Sequence, residues 1–410
     1  MLQGKHILIG ISGGIAAYKI PELIRSLVKA GAEVRVATTK NALQFVTELT
    51  LQTVSGSRVY SDVFAAINEH ATEHISLPEW CDALLVAPAT ANVVAKMAAG
   101  IADDALTTTI ASCVARKPVI VAPAMNDKMW ENPATQHAIE TIRRWENVRV
   151  LEPEEGLLAC GTCGKGRMPE IEVLQEALEY ALTPKTLAGQ KILITAGGTQ
   201  EKIDPVRFIS NYSTGKMGMA LAHACARRGA EVTLVCGAVS APLYNPFGAI
   251  RRIDALSAQA MYEACVAAWP QMNAAILCAA VADFTPETTA AEKIKKEALS
   301  SDLSPLASNR LTLSLQETPD IARTLGETKH AGQRLVGFAL ETQDEKKNAL
   351  RKLERKHLDA IVLNSLREKG AGFGVDTNIV TILQADGSET ALPLQSKTAI
   401  SEEILRVLFS

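Results

Sequence analysis

Two short loops carry side chains suited to holding a flat polar ring. Pro88-Ala89-Thr90-Ala91-Asn92 and Pro123-Ala124-Met125-Asn126 each follow an apolar run and end on an asparagine. Small side chains let a planar group approach the backbone, and an asparagine amide both donates and accepts. Each asparagine has a second reading as the N-cap of the following helix. Met129-Trp130 extends an apolar wall beyond Asn126 and favours a site there. Gly10-Ile-Ser12-Gly13-Gly14 lies between a strand and a helix, where backbone N–H groups and the helix dipole can hold an anion. Thr38 and Thr39 end the next strand and can add hydroxyls. The Gly-x-Gly-x-x-Gly fingerprint of dinucleotide sites is absent. One phosphate, as on a mononucleotide, therefore fits better than a pyrophosphate; a plain tight turn is the alternative.

Other constellations are open to more than one chemistry. His74, in His70-Ala-Thr-Glu-His74, suits either an active-site base or a surface group. The His70/His74 pair lacks the glutamate of a His-Glu-x-x-His metal motif. Cys160-Gly-Thr-Cys163-Gly-Lys-Gly166 has no second Cys-x-x-Cys to complete a zinc site and no thioredoxin-like context. Its glycines fit a mobile flap carrying an acid or nucleophile, or a surface loop with incidental thiols. Ser213-Thr-Gly215-Lys216-Met217-Gly218 ends like a Walker A loop. Ser210 occupies the first glycine position, however, and Met217 replaces the magnesium-binding hydroxyl. Backbone N–H groups and Lys216 could still bind an anion. Lys293-Ile-Lys295-Lys296 follows Ala279-Ala280-Val-Ala-Asp283 and reads as a basic loop closing over phosphates or as a solvated run. Lys352 and Lys356, at i,i+4 spacing, face polyphosphate or plain solvent.

The elements that must position these groups alternate regularly. Strands are expected at 5–11, 33–37, 83–87, 118–122 and 148–151, then at 191–196, 231–236, 274–280, 334–339, 359–363 and 378–383. Helices are expected at 15–30, 91–99, 104–115, 132–144, 170–182, 216–229, 257–268, 319–328 and 344–357, with 285–310 as a polar segment lacking periodicity. This order predicts an α/β protein with two doubly wound, Rossmann-like domains and mainly parallel sheets. An internal repeat supports two domains: His6-Ile-Leu-Ile-Gly10 recurs as Lys191-Ile-Leu-Ile-Thr195, and Gly31-Ala-Glu-Val34 as Gly229-Ala-Glu-Val232. Gly13 and Gly31 are 18 residues apart and Gly198 and Gly229 are 31 apart, so the second copy carries 13 more. The boundary is expected at Thr183-Pro184, giving domains 1–183 and 184–410. Extra polar residues at a first strand's carboxyl end sit where open α/β sheets bind ligands.

Composition excludes several classes. With 410 residues, 47% hydrophobic, 21% charged and a net charge of −3, the chain suits sizeable cores and not a broad nucleic-acid surface. Aromatics at 4% argue against base-stacking platforms. Eight cysteines in so long a chain do not read as a disulfide framework. The absence of a signal-peptide pattern or a long apolar run points to the cytoplasm and away from membranes.

Taken in order, the motifs resemble the bacterial bifunctional proteins of coenzyme A biosynthesis, in which a phosphopantothenoylcysteine decarboxylase is fused to a phosphopantothenate–cysteine ligase. The likeness covers nearly the whole chain. It rests on Pro123-Ala-Met-Asn126-x-x-Met129-Trp, Ala159-Cys160-Gly-x-x-Gly-x-Gly-Arg167-Met, Gly197-Gly-Thr-x-Glu201-x-Ile-Asp204-Pro-Val-Arg207-x-Ile-Ser-Asn211 and Ser213-Thr-Gly-Lys-Met-Gly218. Ala279-Ala-Val-Ala-Asp283, Lys293-Ile-Lys-Lys296 and Gly337-Phe338-Ala-x-Glu341-Thr complete it.

The resemblance implies FMN in the first domain, held by Gly10, Ser12, Gly13, Thr39, Pro88, Ala89, Thr90 and Asn92. Substrate would be oxidised at the cysteine Cβ, lose CO2 from the thioaldehyde and be reduced again. His74 would act as base or orienting group, Asn126 would grip the carboxylate, and Cys160 would donate the proton. The second domain is implied to join cysteine to 4′-phosphopantothenate through an acyl-cytidylate made from CTP, with Mg2+ at ligands the sequence does not identify. Asn211 would hold that intermediate and Lys293 would stabilise charge. Arg207, Ser213, Lys216, Ala280, Asp283, Pro319, Asp320, Ile321, Phe338, Lys352 and Lys356 would contact substrate or nucleotide. Trimers of the flavin domain and dimers of the ligase domain are implied, hence a homo-oligomer of up to twelve chains, without nucleic acid or membrane partners.

The chain departs from the family pattern at a few positions. Cys163 is extra and could form a reversible disulfide with Cys160. Thr214 stands for a usual Ser, Thr318 for Asn, and Phe284 for Tyr. Two other functions are compatible with parts of the pattern. One is a flavin-dependent oxidoreductase or decarboxylase with a regulatory nucleotide-binding half, which would be expected to have lost Asn211 or Lys293. The other is a non-catalytic phosphatase regulator, which would carry an acidic tail.

Overall fold

The structure is a computed structural model; it describes residues 2–64, 73–157, 161, 163–295, 311–341, 343–365, 372 and 374–409. The chain divides into two compact units: 1–183 with Tyr244–Phe247, and 184–243 with 248–410.

The first unit is built on strands β1 (His6–Ile11), β2 (Glu33–Thr38), β3 (Val59–Tyr60), β4 (Ala83–Ala89), β5 (Val119–Pro123) and β6 (Val148–Val150), in the order β3-β2-β1-β4-β5-β6. Every pairing in this sheet is parallel. The order reverses between β1 and β4, so a crevice opens at their carboxyl ends. The near-continuous apolar runs follow from burial on both faces. Ile7, Ile9 and Ile11 pack with Leu23, Leu27 and Leu178 on one face, while Leu8 packs with Val94, Ile110 and Ile139 on the other. Between them Gly10 lets the helix Ala105–Cys113 settle close: a Cβ there would lie 2.5 Å from Leu106 Cδ1. Strands β7 (Glu154–Leu157) and β8 (Cys163–Arg167) form a separate antiparallel hairpin.

The second unit repeats the plan with β9 (Lys191–Ala196), β12 (Glu231–Cys236), β13 (Ile250–Asp254), β14 (Ala274–Leu277), β17 (Arg334–Glu341), β18 (Ala360–Ser365), β19 (Thr377–Gln384) and β20 (Glu389–Ser396). Their order is β13-β12-β9-β14-β17-β18-β19-β20, and only β19 runs against the rest, so that the β18–β19 and β19–β20 pairings are antiparallel. Between β9 and β12 the 13 extra residues make a hairpin of β10 (Gln200–Lys202) and β11 (Phe208–Ser210). Strands β15 (Phe284–Pro286) and β16 (Leu315–Glu317) form another.

Strands β3, β13 and β20 and the helices Glu48–Ser55 and Lys397–Phe409 were not among the expected elements. The three strands are sheet edges, and β13 and β20 alternate exposed charged or polar residues with few buried ones, so no apolar run marks them. The helix expected at 15–30 is two pieces: a 3-10 turn at Ile15–Lys19, then an α-helix at Ile20–Lys29 with proline in its first turn. The strand expected at 274–280 stops at Leu277. Beyond it the chain leaves the sheet, because the Thr195 and Thr199 hydroxyls take the Ala279 and Ala282 N–H groups at 3.0 Å each. The polar segment expected at 285–310 begins within β15, and its residues 296–310 lie outside the described ones. No helix among the described residues is long and apolar enough to cross a membrane.

Candidate active sites

At the carboxyl edge of the first sheet lies a cavity of about 1220 Å³. Its lining mixes polar groups, among them Ser12, Thr39, Asn41, Lys19 and Lys40, with apolar ones, among them Val93, Met125, Met129, Leu157 and Met168. Ser12 holds the floor together. Its buried hydroxyl donates to the Pro88 carbonyl at 2.6 Å and accepts the Thr90 N–H at 3.0 Å, joining the loops after β1 and β4. Gly13 permits a further close approach, since a Cβ there would fall 2.5 Å from the Asn41 Cβ. Hydroxyls, an amide and lysines for an anionic tail, and apolar side chains for a flat ring, are both present in this lining, as a flavin mononucleotide requires.

The residues expected from sequence divide into walls and supports. Ser12, Gly13, Thr39, Thr90, Asn92 and Asn126 line the cavity. Gly10, Pro88, Ala89 and His74 do not line it. Gly10 is buried under Leu106. Pro88 and Ala89 end β4, and their carbonyls accept from Ser12 and from the Ala124 N–H. His74 is half-buried in the first turn of the helix Glu73–Trp80, beside a Glu73 carboxyl raised by burial, against which Arg58 and Arg35 pull. Thr90, and not Asn92, takes the N-cap position of the helix Ala91–Ala99. Asn126 combines both of its readings: its side chain accepts the Lys128 N–H at 3.0 Å as an N-cap while lining the cavity. Cys160 and His70 lie outside the described residues, and Cys163 is exposed on β8 with a free thiol.

Sequence reasoning missed several lining residues. Lys96 donates to Asp103 at 2.6 Å, and Asp104 closes a capping box with Thr107, so this charged pair and the helix start meet at the cavity rim. The Asp-x-x-Thr spacing was a legible helix signal. Nothing local marked its place on the wall. Arg167 and Lys19 converge on Glu170, whose carboxyl they hold below its usual range.

In the second unit the expected residues gather at the corresponding edge. Asn211 Nδ2 donates to the Ala280 carbonyl at 2.9 Å, bringing the end of the β10–β11 insert onto the loop after β14. Thr318 donates its hydroxyl to the Ala282 carbonyl at 2.6 Å and its N–H to the Asp283 carbonyl at 3.0 Å, which supports that loop from beneath. Asp320 follows Pro319 and caps the helix Ile321–Glu327 through the Arg323 N–H at 3.1 Å. Three of the expected lysines are paired. Lys356 meets Asp320 at 3.0 Å, Lys352 meets Glu341 at 2.6 Å, and Lys216 meets Asp376 at 2.6 Å and the Gly374 carbonyl at 3.1 Å. Ser213 accepts the Gly215 N–H at 3.4 Å just before the helix Lys216–Arg227. Phe338, on β17, is half-buried against the core, while Asp283 and Lys293 are exposed. Arg207 is exposed, and its guanidinium donates two N–H groups to one oxygen, Oδ2, of Asp204. Among the described residues, no group of three or more His, Cys, Asp or Glu is arranged to hold a metal.

Two doubly wound units, the first with a cavity at the carboxyl edge of its sheet and the second with lysine–carboxylate pairs at the corresponding edge, have the plan of a two-domain flavoprotein. The family model described as Flavoprotein matches residues 1–182, and that described as DNA/pantothenate metabolism flavoprotein C-terminal domain matches residues 187–410. The chain is 46% identical over 409 residues to the coenzyme A biosynthesis bifunctional protein CoaBC of Bacillus subtilis (strain 168), covering 99% of this chain and 97% of that one. It is 42% identical over 405 residues to the protein of the same name from Escherichia coli (strain K12), covering 98% and 96%. A cysteine/cysteine sulfinic acid decarboxylase from an unknown prokaryotic organism is 46% identical over 370 residues, covering 89% and 99%. The chain belongs to the family of coenzyme A biosynthesis bifunctional proteins.

Proposed function

We propose that the protein performs two successive steps of coenzyme A biosynthesis, with residues 184–410 as the ligase and 1–183 as the decarboxylase. In the ligase, the carboxylate of 4′-phosphopantothenate attacks the α-phosphate of CTP and pyrophosphate leaves. The cysteine amine then attacks the acyl carbon and CMP leaves. Crowded phosphates make cationic contacts the main requirement. Lys352, Lys356 and Lys216 would exchange their present carboxylate partners for phosphate oxygens, with Mg2+ arriving on the triphosphate. Asn211, fixed through Ala280, keeps its amide oxygen and a second N–H for the acyl-cytidylate. Lys293 would meet the charge that grows at the α-phosphate.

In the decarboxylase, Ser12, Gly13 and Thr39 would hold the phosphate of FMN, and Met125, Met129 and Leu157 would pack on its ring. FMN, when bound, supplies a two-electron acceptor that takes hydride from the substrate Cβ and returns it. Asn126 would orient the substrate carboxylate so that CO2 can leave, His74 would take or steer the thiol proton, and Cys160 would protonate the product. The protein is read as a cytoplasmic homo-oligomer, with trimeric contacts in the first domain and dimeric contacts in the second.

One observation carries this reading: the Asn211 amide is held at 2.9 Å on the Ala280 carbonyl, in the loop after β14, at the sheet edge where α/β folds bind nucleotides. Mass spectrometry tests it. Protein, FMN, Mg2+, 4′-phosphopantothenate and cysteine are incubated with CTP or ATP, and a further tube holds cysteine alone. 4′-Phosphopantetheine with CMP in the CTP tube is the expected result. Decarboxylation of free cysteine without ligation would overturn the reading in favour of an amino-acid decarboxylase.

A further inference from the structure

Asp204 is the most heavily engaged carboxylate at the edge of the second sheet. It lies in the turn of the β10–β11 hairpin, and its residue is 1% exposed. Oδ1 accepts the N–H groups of Val206 and Arg207, both at 2.8 Å. Oδ2 accepts Arg207 Nε at 2.9 Å, the second guanidinium nitrogen, and the Ile294 N–H at 3.2 Å. The Arg207 guanidinium, so held, donates in turn to the Ile294 carbonyl at 2.8 Å. The Arg207 guanidinium and the backbone donors keep the carboxyl well below its usual range, so it is a carboxylate throughout the working pH range.

The consequence falls on Lys293. One ion pair grips both polar groups of Ile294, the N–H through Asp204 and the C=O through Arg207. The two peptide planes that flank Ile294 are thereby held, and the first of them carries the Lys293 carbonyl and ends on the Lys293 Cα, so the backbone on the carboxyl side of Lys293 is restrained. The Ala290 N–H adds a bond to the Ile203 carbonyl at 3.0 Å, and the Thr289 hydroxyl one to Lys202 at 3.2 Å. The segment 289–294 is therefore moored along the insert hairpin, while the Lys293 side chain itself stays exposed. A long exposed lysine alone would spread over many rotamers. A lysine whose backbone is moored samples a narrower cone.

We propose that Asp204 is a positioning residue for Lys293: it sets the approach of the lysine ammonium to the α-phosphate during acyl-nucleotidylate formation. This rests on the reading of the second unit as a nucleotide-dependent ligase. Asp204 touches no reacting atom. It acts through Arg207 and Ile294 alone, and its removal should slow chemistry more than it weakens nucleotide binding.

The test uses the full chain. Pyrophosphate release is followed with 4′-phosphopantothenate and Mg·CTP for the unaltered protein, Asp204→Asn, Lys293→Ala and the double variant. Decarboxylation of phosphopantothenoylcysteine by the same samples reports on the first unit, and thermal melts of each variant report on folding of the second. Asp204→Asn should lower kcat for pyrophosphate release about 10- to 100-fold, the scale of a misplaced catalytic group, with KM for CTP within about twofold and decarboxylation unchanged. Asp204→Glu, which keeps the charge, should recover part of the rate. The double variant should be no slower than Lys293→Ala, because groups acting as one unit do not add. Full activity in Asp204→Asn, losses that multiply in the double variant, or a change confined to KM would overturn the proposal. No pyrophosphate release from the unaltered protein would overturn the ligase reading itself, and this proposal with it.

Discussion

The Met125 N–H donates to the Gly166 carbonyl at 2.9 Å, and a Cβ on Gly166 would overlap the Met125 carbonyl oxygen. The β7–β8 hairpin thus lies directly on the loop that carries Asn126, and glycine is what allows it. Gly166→Ala should push the hairpin off this loop. Steady-state decarboxylation should fall about tenfold or more, while pyrophosphate release by the second unit stays as it was. Equal losses in both reactions would mean a global folding defect.

Asn126 serves two purposes that a pair of variants can separate. Asn126→Ala removes both the helix cap, worth about 1 kcal/mol, and the amide facing the cavity. Asn126→Ser keeps an oxygen for the Lys128 N–H and removes the amide alone. Thermal melts should show a lower Tm for the alanine variant and little change for serine. Decarboxylation should be severely reduced in both.

Lys356 faces the Asp320 carboxylate before any nucleotide arrives. Its partner both screens it and orders it, since Asp320 is also the N-cap of the next helix. Lys356→Ala should raise KM for CTP by about 10- to 100-fold, the equivalent of one charge-assisted hydrogen bond. Lys356→Arg should recover much of this, because a guanidinium also reaches phosphate oxygens. Titrating CTP against initial rate measures both.

His223, on the helix Lys216–Arg227, is buried, and burial together with the Arg227 charge lowers its pKa from 6.5 to about 4. The folded state therefore binds fewer protons than the unfolded state between those values. Stability from this residue is fully present above pH 6.5, declines as pH falls through the window, and stops changing below about pH 4. The total is at most roughly 3 kcal/mol. Chemical denaturation at intervals from pH 7.5 to 4 should show the decline, and His223→Gln should flatten it. A variant curve parallel to the original would assign the acid sensitivity elsewhere.

The sequence by itself determined the fold class and the family. Apolar runs marked the central strands β1, β4, β9 and β12, because those strands are buried on both faces and burial leaves a local trace. The repeat of strand, glycine turn and second strand gave two domains, and ordered motifs such as Pro123–Asn126 and Ser213–Gly218 gave the chemistry. Tertiary structure alone decided the partners. Arg207 finds Ile294 across 87 residues and Asn211 finds Ala280 across 69; neither contact has periodicity or spacing to announce it. It also gave Gly10 a packing role, because only the fold brings Leu106 over it. Local pattern reports how much of a segment is buried. Which charge neutralises which, and which glycine makes room for which neighbour, depends on groups the chain brings together only on folding.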